Sequence, residues 1–573
     1  MNQNQFRIPR RRIYVLFIGF VIFSLAISYR IVTFQVVHSQ QLSQEAVASR
    51  LREDVVPARR GEILDAEGRP LATNIPADQL AAIVQQVKDP KQTAAALAPI
   101  IGRSAEDIEA AITAPGKEWV VLKTRLSPEA SQQITDLKLP GLVLSPEPRR
   151  IYPNDDFASQ VLGFVNYNND GSYGIEGKYN NLLSGTPGKL IGERDEQGNV
   201  IALANSVYDP PKDGADLVLT IDSSIQWIVE QALDQAMKDQ QASGGTIIVE
   251  NPKTGAILAM ASRGSFDPNA FETVEDPSVF VNPAISDIYE PGSTFKPLGM
   301  SLALDQGLVS PDTTYDGGSY RILPGGAKVT NALGAAFGPE TMTQVLEHSS
   351  NLGMMHVADL IGEQRFYQGL EAFGIGQPTG VDLQGESGGI LPLPGEPDWS
   401  AANFYTNTFG QGLAVTPLQL LNAICVLANG GELMQPYVVQ QIRNADGTVK
   451  QIQPQVEHRV ISPQTSRTIT DMLTAVMKTT YTRFAIPGYD VAAKTGTAQI
   501  PSPNGGYDPN STIGSVIGYG PSSDPQFAVL VKIDRPQNAD WGEEAAGPAF
   551  KQVMQQLFLL KGIPPTEATG TAP

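Results

Sequence analysis

A long uncharged run stands near the start of the chain. Residues Ile13 to Tyr29 contain no charged side chain, and the apolar pattern resumes from Ile31 to Val37 after Arg30. At about 1.5 Å per residue, a helix of this length approaches the roughly 30 Å hydrocarbon core of a bilayer. The pattern therefore predicts a transmembrane anchor over residues 13–37.

The charges that flank this run indicate its orientation. Four arginines precede it: Arg7, Arg10, Arg11 and Arg12. Because basic residues stay on the cytoplasmic side, residues 1–12 are predicted to be a cytoplasmic tail, with everything after the span outside. A cleaved signal peptide is the alternative, with Ala26-Ile27-Ser28 as its small-x-small site. The apolar run is longer than a usual signal-peptide core, which favours the anchor.

Past the anchor, the pattern changes several times before a boundary. Residues 45–56 indicate a polar connecting helix or stalk, and Ile63 to Leu71 indicates two short strands joined by a tight turn. Residues 90–140 are predicted to be helical and polar and to form an inserted subdomain. A proline-rich crossing at residues 209–214 is the best domain boundary, and residues 563–573 lack an apolar period and are predicted to be a disordered tail.

After the boundary, the pattern is that of a compact α/β domain. Thr246 to Ser262 predicts a hairpin, because two β-rich runs flank Asn251-Pro252-Lys253-Thr254-Gly255. Three more β runs are predicted near the end: Val491 to Gln499, Ile513 to Gly520 and Gln526 to Ile533. Between them, Thr416 is a candidate N-cap of a helix that begins at Pro417 and whose apolar stripe includes Cys425. That position makes Cys425 a core residue rather than a nucleophile.

Composition excludes several classes of function. The 573 residues are 41% hydrophobic and 18% charged, with a net charge of −19, so nucleic acid is a poor partner. The single cysteine rules out a disulfide framework within the chain and the cysteine clusters of zinc ribbons. The four histidines do not form a metalloprotease motif, so we predict neither a metal site nor a cofactor.

The sharpest candidate for chemistry is Glu290 to Pro297, E-P-G-S-T-F-K-P. Pro297 is tolerable only near a helix start, so the helix should begin close to Ser293, with Ser293 and Lys296 on one face. A serine hydroxyl needs a base to become a nucleophile. A lysine can be that base if its pKa falls from about 10.4 to near 7, a shift worth roughly 4 kcal/mol. Burial and a neighbouring positive charge would have to supply it.

Two further motifs follow in order. Ser349-Ser350-Asn351 lies between two apolar helical runs, and Lys494-Thr495-Gly496-Thr497 lies on a predicted strand, where Gly496 would let a substrate backbone approach. Both patterns also occur elsewhere, as Ser502-Pro503-Asn504 and Lys253-Thr254-Gly255. Lys253 falls in a predicted hairpin turn, so we predict that it is a solvated lysine without a catalytic role.

Ser-x-x-Lys, Ser-x-Asn and Lys-Thr-Gly in this order form the signature of serine β-lactamases and penicillin-binding proteins. The chain resembles a class B penicillin-binding protein, a monofunctional peptidoglycan D,D-transpeptidase, and most of all the septal (FtsI-type) branch. Outside the three motifs the resemblance rests on R-G-x-I-x-D-x-x-G-x-x-L-A, R-x-Y-P, G-I-E-G and G-Q-G-L-A-V-T-P-L-Q-L. Asn154-Asp155-Asp156 departs from it, since relatives often carry glycine there.

The resemblance implies a fold and a domain organisation. It implies an α/β chain with a single N-terminal transmembrane helix, an elongated α+β pedestal domain over residues 45–212, and a transpeptidase domain over residues 213–562. The latter would have a central antiparallel sheet flanked by helices. Five pedestal residues are expected to be structural rather than catalytic: Arg60, Gly61, Asp65, Gly68 and Glu176.

The resemblance also implies roles at the site. Ser293 would attack a D-Ala-D-Ala stem peptide with neutral Lys296 as base, Ser349 would relay the proton, and Asn351 would hold the donor amide. Lys494 would add positive potential. The substrate-binding residues would be Thr495, Gly496 and Thr497, and the backbone N–H groups of Ser293 and Thr497 would form the oxyanion hole.

The implied partners are nascent peptidoglycan stem peptides, β-lactam antibiotics, a membrane glycosyltransferase of the SEDS/FtsW type and other division proteins. Four alternatives stay open: an elongation-type class B transpeptidase, a D,D-carboxypeptidase or β-lactamase, a β-lactam sensor without turnover, and an inactive division scaffold. A β-lactamase needs no pedestal or anchor, and a sensor should carry more membrane spans and a zinc-protease segment.

Overall fold

The computed structural model describes residues 10–38, 51–193, 207–502 and 505–565. The chain divides into two compact units. The first comprises Met1–Ala58 and Thr186–Asp213, and the second comprises Arg59–Gly185 and Gly214–Pro573. The predicted tail is described only as far as residue 565, so most of it lies outside these ranges.

In the first unit, the predicted anchor is a helix. Arg10–Val32 is α-helical, and a π-helical turn over Thr33–Val37 follows it. Its large apolar side chains are exposed, as expected of a segment that lipid surrounds. Among the described residues, Arg10–Val36 is the one span long and apolar enough to cross a membrane, with a mean hydropathy of 2.3.

The same unit contains a three-stranded antiparallel sheet. Its strands are Leu51–Val56, Gly188–Glu193 and Val207–Asp209, with Gly188–Glu193 in the middle. The prediction of a polar helix or stalk over residues 45–56 is therefore wrong for Leu51–Val56, while residues 45–50 lie outside the described ranges. The partner strand is distant in sequence, so no local periodicity marked this pairing.

The second unit begins with a mixed sheet. Its strands, in spatial order, are Val449–Gln451, Val439–Arg443, Asp216–Leu219, Ile63–Leu64, Pro70–Ile75 and Arg149–Ile151. The predicted pair of short strands joined by a turn is confirmed by Ile63–Leu64 and Pro70–Ile75. Because Asp216–Leu219 pairs in parallel with Ile63–Leu64, segments before and after residue 213 share one sheet.

A buried ion cluster ties this region together. Glu176 is fully buried and accepts hydrogen bonds from Arg60 Nε at 2.8 Å and from Arg150 Nε at 2.7 Å. Burial alone would raise the pKa of Glu176, but the two guanidinium groups outweigh it and lower that pKa below its usual value. Gly61 is required by close packing, since a Cβ there would lie 1.8 Å from Ala215 O.

The turn between the first two strands of this sheet is also held by a buried acid. Asp65 accepts hydrogen bonds from the backbone N–H groups of Glu67 and Arg69 and from the hydroxyl of Ser223. Gly68 has φ of +87°, a conformation that side chains rarely adopt. These contacts hold the turn in its conformation.

Residues 78–146 form a subdomain with its own core. Three strands, Asp78–Ile83, Trp119–Leu126 and Leu142–Pro146, pack with helices Pro90–Ile101, Ala105–Ile112 and Pro128–Asp136. The prediction of a helical segment over 90–140 is wrong for Trp119–Leu126. That strand alternates exposed and buried side chains at its start, and pairing with Asp78–Ile83 decides its conformation.

A five-stranded antiparallel sheet carries the rest of the unit. Its strands are β1 (Gly244–Asn251), β2 (Ala256–Ser262), β3 (Ala492–Pro501), β4 (Tyr507–Gly520) and β5 (Phe527–Asp534). Their spatial order is β2-β1-β5-β4-β3. The predicted hairpin and the three late strands are confirmed, and β3 lies at an edge of the sheet.

Helices cover both faces of this sheet. They are α1 (Ser223–Gln240), α2 (Lys296–Asp305), α3 (Asn351–Ile361), α4 (Pro417–Ala428), α5 (Pro463–Thr479) and α6 (Gly542–Leu560). Helices α1 and α6 pack on one face, and α4 and α5 pack on the other. Thr416 caps α4 by accepting from Gln419 N, and Cys425 is buried, as predicted.

Shorter elements complete the second unit. The helices are Ser159–Leu162, Gly174–Lys178, Asn180–Leu183, Pro283–Ser286, Met342–Glu347, Glu363–Ala372 and Ala401–Thr406. The paired strands are Phe164–Val165 with Gly171–Ser172, Thr314–Asp316 with Pro339–Thr341, Arg321–Ile322 with Lys328–Val329, and Glu432–Met434 with Val456–Arg459.

Candidate active site

The start of α2 positions the candidate nucleophile. Gly292–Phe295 forms a 3-10 turn that runs into α2, so the predicted helix start near Ser293 is confirmed. The backbone N–H of Gly292 donates to Gly410 O at 3.0 Å, and a Cβ on Gly410 would lie 2.2 Å from Gly292 O. This tight contact fixes the turn that presents Ser293, while Lys296 is fully buried behind it.

The second motif meets the first through one amine. Lys296 Nζ donates to Ser349 O at 2.5 Å, to Ser349 Oγ at 3.1 Å and to Asn351 Oδ1 at 2.8 Å. Ser349 stands in the link before α3 with φ of +53°, and Ser350 caps α3 by accepting from Gly353 N. The predicted position of this motif at the mouth of a helix is confirmed.

The third motif lies on the edge strand β3. Lys494 is buried, and its Nζ donates to the hydroxyl of Tyr481 at 2.8 Å, which also accepts from Thr495 Oγ1 at 2.8 Å. Thr497 Oγ1 accepts from the N–H of Gly542, the first residue of α6, at 2.8 Å. The strand is therefore held from behind at two places.

The structure explains the glycine at position 496 differently from the sequence-based expectation. A Cβ at this position would lie 2.9 Å from Thr294 Cγ2 and 3.0 Å from Pro291 O. The missing side chain thus lets β3 approach the turn that carries Ser293, rather than opening space on the cleft side. Thr495 and Thr497, on either side of it, face the cleft.

One cleft of about 500 Å³ brings the three motifs together. Its lining residues include Ser293, Ser349, Asn351, Thr495 and Thr497, with Lys328, Phe409, Gln411, Gln499 and Trp541 around them. Lys296 and Lys494 lie buried behind this surface. Of the predicted catalytic and substrate-binding side chains, five therefore border the cleft and two lie buried behind it.

Electrostatics favour a neutral amine at the base of the cleft. Burial and the nearby charge of Lys494 lower the pKa of Lys296 well below its usual value, against the opposing influence of Glu340. These are the two causes that the sequence argument required. A lysine in this state can accept a proton from a hydroxyl at neutral pH.

Some contributing residues were missed from the sequence. The hydroxyl of Tyr481 accepts hydrogen bonds from both Lys494 and Thr495. Tyr481 belongs to none of the three motifs and lies just before the 3-10 turn Thr482–Phe484, upstream of β3. The sequence motif around Ser293 includes Glu290, for which no role was predicted. Its carboxylate accepts hydrogen bonds from Gly412 N and from the hydroxyl of Tyr507, each at 2.9 Å. In the sequence, only the position of Glu290 three residues before Ser293 could have indicated that it lies near the site.

The duplicate motifs are separated by their surroundings. Lys253 is exposed in the β1–β2 turn, as predicted for a solvated turn lysine, and it pairs with Asp524. The second Ser-x-Asn pattern begins at Ser502, and its residues 503 and 504 lie outside the described ranges. The cleft described above uses neither duplicate.

Known proteins and protein families match this sequence over most of its length. A family model described as the penicillin binding protein transpeptidase domain matches residues 245–555, and one described as the penicillin-binding protein dimerisation domain matches residues 55–219. Stage V sporulation protein D of Bacillus subtilis is 35% identical over 99% of this chain and 88% of its own length. Peptidoglycan D,D-transpeptidase FtsI of Escherichia coli K12 is 30% identical over 97% and 93% respectively.

Solved structures show the same likeness. Penicillin binding protein 3 of Mycobacterium tuberculosis, in complex with aztreonam, superposes with a TM-score of 0.71 and 27% identity, covering 90% of this chain and 98% of its own. Penicillin Binding Protein 2X of Streptococcus thermophilus gives a TM-score of 0.73 at 25% identity, covering 89% of this chain and 81% of its own.

Proposed function

The chain belongs to the penicillin-binding protein transpeptidases, and from that premise we propose that it cross-links peptidoglycan stem peptides through an acyl-enzyme on Ser293. It is a serine-type D,D-transpeptidase of the β-lactam-binding kind. The observation that supports Ser293 most directly is the contact of buried Lys296 with Ser349 and Asn351 beside the cleft that Ser293 lines.

In the first half-reaction, Ser293 attacks the carbonyl carbon of the penultimate D-Ala. Neutral Lys296 takes the hydroxyl proton as the Ser Oγ–carbon bond forms. Lys296 then returns this proton through the hydroxyl of Ser349 to the nitrogen of the terminal D-Ala, so that the peptide C–N bond breaks and free D-Ala leaves. In the second half-reaction, the amine of another stem attacks the ester carbonyl, the cross-linking amide bond forms and the ester bond to Ser293 Oγ breaks. The proton that the amine loses returns to Ser293.

The groups around the nucleophile complete the site. Backbone N–H groups of Ser293 and Thr497 stabilise the oxyanion, each contributing about 3–4 kcal/mol to the transition state. The hydroxyls of Thr495 and Thr497 receive the terminal carboxylate under the potential of Lys494, and Asn351 holds the donor amide. Because β3 is an edge strand, the extended donor can add to the sheet beside it.

Labelling with a fluorescent penicillin tests the nucleophile. The full chain should label and Ser293→Ala should not, while Ser523→Ala, an exposed serine in the β4–β5 turn, should label normally. Label retained on the alanine variant at position 293 would disprove the assignment. Digests of cross-linked glycan separate the activities, since D-Ala release without dimeric muropeptides would indicate a carboxypeptidase instead.

We further propose that the protein works in septal wall synthesis. The relatives named FtsI support this, whereas the likeness to Stage V sporulation protein D favours a sporulation branch as the second candidate. Depletion followed by microscopy distinguishes the branches: filaments indicate division, rounded cells indicate elongation, and normal growth with defective spores indicates sporulation. A membrane glycosyltransferase of the SEDS/FtsW type is the proposed source of uncross-linked glycan.

We infer that the N-terminal helix, the one candidate span among the described residues, anchors the protein in a membrane with a single pass. We propose that its basic end is cytoplasmic and that the catalytic unit lies outside, because Arg10, Arg11 and Arg12 precede the apolar stretch. The division into a pedestal over residues 45–212 and a transpeptidase domain over 213–562 belongs to the same proposal. Ser523→Cys in intact cells should react with a membrane-impermeant maleimide, and reaction only after lysis would reverse the orientation.

A further inference from the structure

A second large cavity lies away from the catalytic cleft. It encloses about 880 Å³ between residues 480–484, which follow α5, and one side of α6. That volume falls within the roughly 300–1,000 Å³ of ordinary small-molecule sites. It shares no lining residue with the catalytic cleft, and the reaction described above makes no use of it.

The lining of this cavity is chemically mixed. Apolar surface comes from Phe484, Pro548 and Leu559. Both charge signs and several amides surround it: Arg483, Lys551, Glu543, Glu544, Gln552, Gln555 and Gln556. Arg483 and Glu544 pair with each other at 3.9 Å. The carboxylate of a short peptide would therefore face Lys551 and its ammonium group would face Glu543, with amide side chains for its backbone.

Tyr481 connects this cavity to the catalytic strand. The residue lines the cavity, and its hydroxyl contacts both Lys494 Nζ and Thr495 Oγ1 at 2.8 Å. Its ring stacks on Phe484, another lining residue, with centroids 5.3 Å apart. Both residues are almost fully buried, each about 4% exposed, so a ligand in the cavity would reach only their edges and, at Tyr481, the group that orients Lys494 and Thr495.

The start of α6 makes a second connection. Glu543 and Glu544 line the cavity, the preceding Gly542 donates its N–H to Thr497 Oγ1 at 2.8 Å, and Trp541 lines the catalytic cleft. Hence the cavity borders the supports of all three side chains proposed to hold the substrate's carboxylate. Two separate segments that line the cavity, one at Tyr481 and one at the start of α6, therefore hydrogen-bond to side chains of β3.

We propose that this cavity binds a short zwitterionic peptide and that its occupancy alters, through Tyr481, how Lys494 and Thr495 hold the donor carboxylate. The proposal rests on the proposed function, because it assigns regulation to the same catalytic strand. Coupling between two sites of this kind is typically about 5- to 150-fold in affinity.

A tethered probe tests the proposal in the full-length chain. The single native cysteine, Cys425, is buried, so an introduced thiol can be modified selectively. Gln555→Cys places a thiol in the cavity, and Asp471→Cys places one on the exposed side of α5 as a matched control. Oxidised glutathione converts either thiol into a mixed disulfide that carries a zwitterionic peptide.

The readout is the acylation of Ser293 by a fluorescent penicillin, resolved into apparent affinity and limiting rate. Glutathione at position 555 should shift the apparent affinity by about fivefold or more, and glutathione at position 471 should leave it unchanged. A methylthio adduct at 555, which lacks the charges, should also have no effect. In the Tyr481→Phe background the ratio between modified and unmodified protein should fall to one.

Several outcomes would overturn the proposal: no shift at 555, equal shifts at 555 and 471, the same shift with the methylthio adduct, or a shift retained in full in Tyr481→Phe. These outcomes are distinguishable from failure of the proposed function. If Ser293→Ala still labels, the nucleophile is wrong. If Ser293 labels normally and the adduct at 555 has no effect, only the second site is wrong.

Discussion

A buried carboxyl on β1 makes folding stability depend on pH. Glu250 is fully buried, and among the described residues only the thiol of Cys425 on α4, a weak donor, faces its carboxyl group. Burial raises the pKa of Glu250 from 4.5 to about 8. Replacement by glutamine keeps the shape of the side chain and removes its titration.

The magnitude follows from the two pKa values. Between pH 4.5 and about 8 the unfolded chain ionises this carboxyl while the folded chain keeps it protonated. Stability contributed by the protonated group is therefore fully present below pH 4.5 and is lost as the pH rises through about 8. At about 1.4 kcal/mol per pH unit, raising the pH from 5 to 8 costs roughly 4 kcal/mol of unfolding free energy.

Thermal and urea unfolding of the detergent-solubilised full chain measure this effect. Wild-type protein should lose stability steadily over that pH interval, and Glu250→Gln should show a flatter profile and be the more stable protein at pH 8. Glu457→Gln, at an exposed position on a strand, is the matched control and should follow wild type. Parallel pH profiles for wild type and Glu250→Gln would refute the reasoning.

Three further predictions concern the site and its support. Lys296→Met should slow penicillin acylation by about 10²–10⁴-fold, and the wild-type rate should rise with pH to a plateau reached well below the usual pKa of a lysine; a profile that rises only near pH 10 would contradict the neutral base. Glu176→Gln should lower unfolding free energy by about 3–5 kcal/mol in urea titrations, because Arg60 and Arg150 would stay buried without their anion; an unchanged midpoint would contradict this. Gly542→Ala should slow acylation at least tenfold, because its Cβ would lie 1.8 Å from Gly496 O, and kinetics equal to wild type would show that α6 can shift freely.

The arrangement of β3 links fold to reaction. Among the described residues its outer edge has no neighbouring strand in the sheet, while its inner face packs on Thr294 beside Ser293. Under the proposed function, a substrate that adds to this edge would pass Ser293 with its carboxylate near Thr495 and Thr497. One strand would then set both the binding register and the distance to the nucleophile.

Local patterns were sufficient for elements whose signals are contiguous. The apolar run from Ile13 predicted the N-terminal helix, Pro252 and Gly255 predicted the β1–β2 turn, and Thr416 with Pro417 predicted the start of α4. They failed at Leu51–Val56 and Trp119–Leu126, because strand pairing with distant segments decided those conformations.

The sequence by itself determined which residue types could do the chemistry: a serine three positions before a lysine at a helix start, and two later motifs in a set order. Only the tertiary structure decided that Lys296 is buried against Ser349 and Asn351. It also decided that Lys494 lies close enough to lower the pKa of Lys296, and that Tyr481 accepts a hydrogen bond from Lys494. Desolvation and charge interaction depend on distances across the fold, and spacing along a chain does not contain those distances.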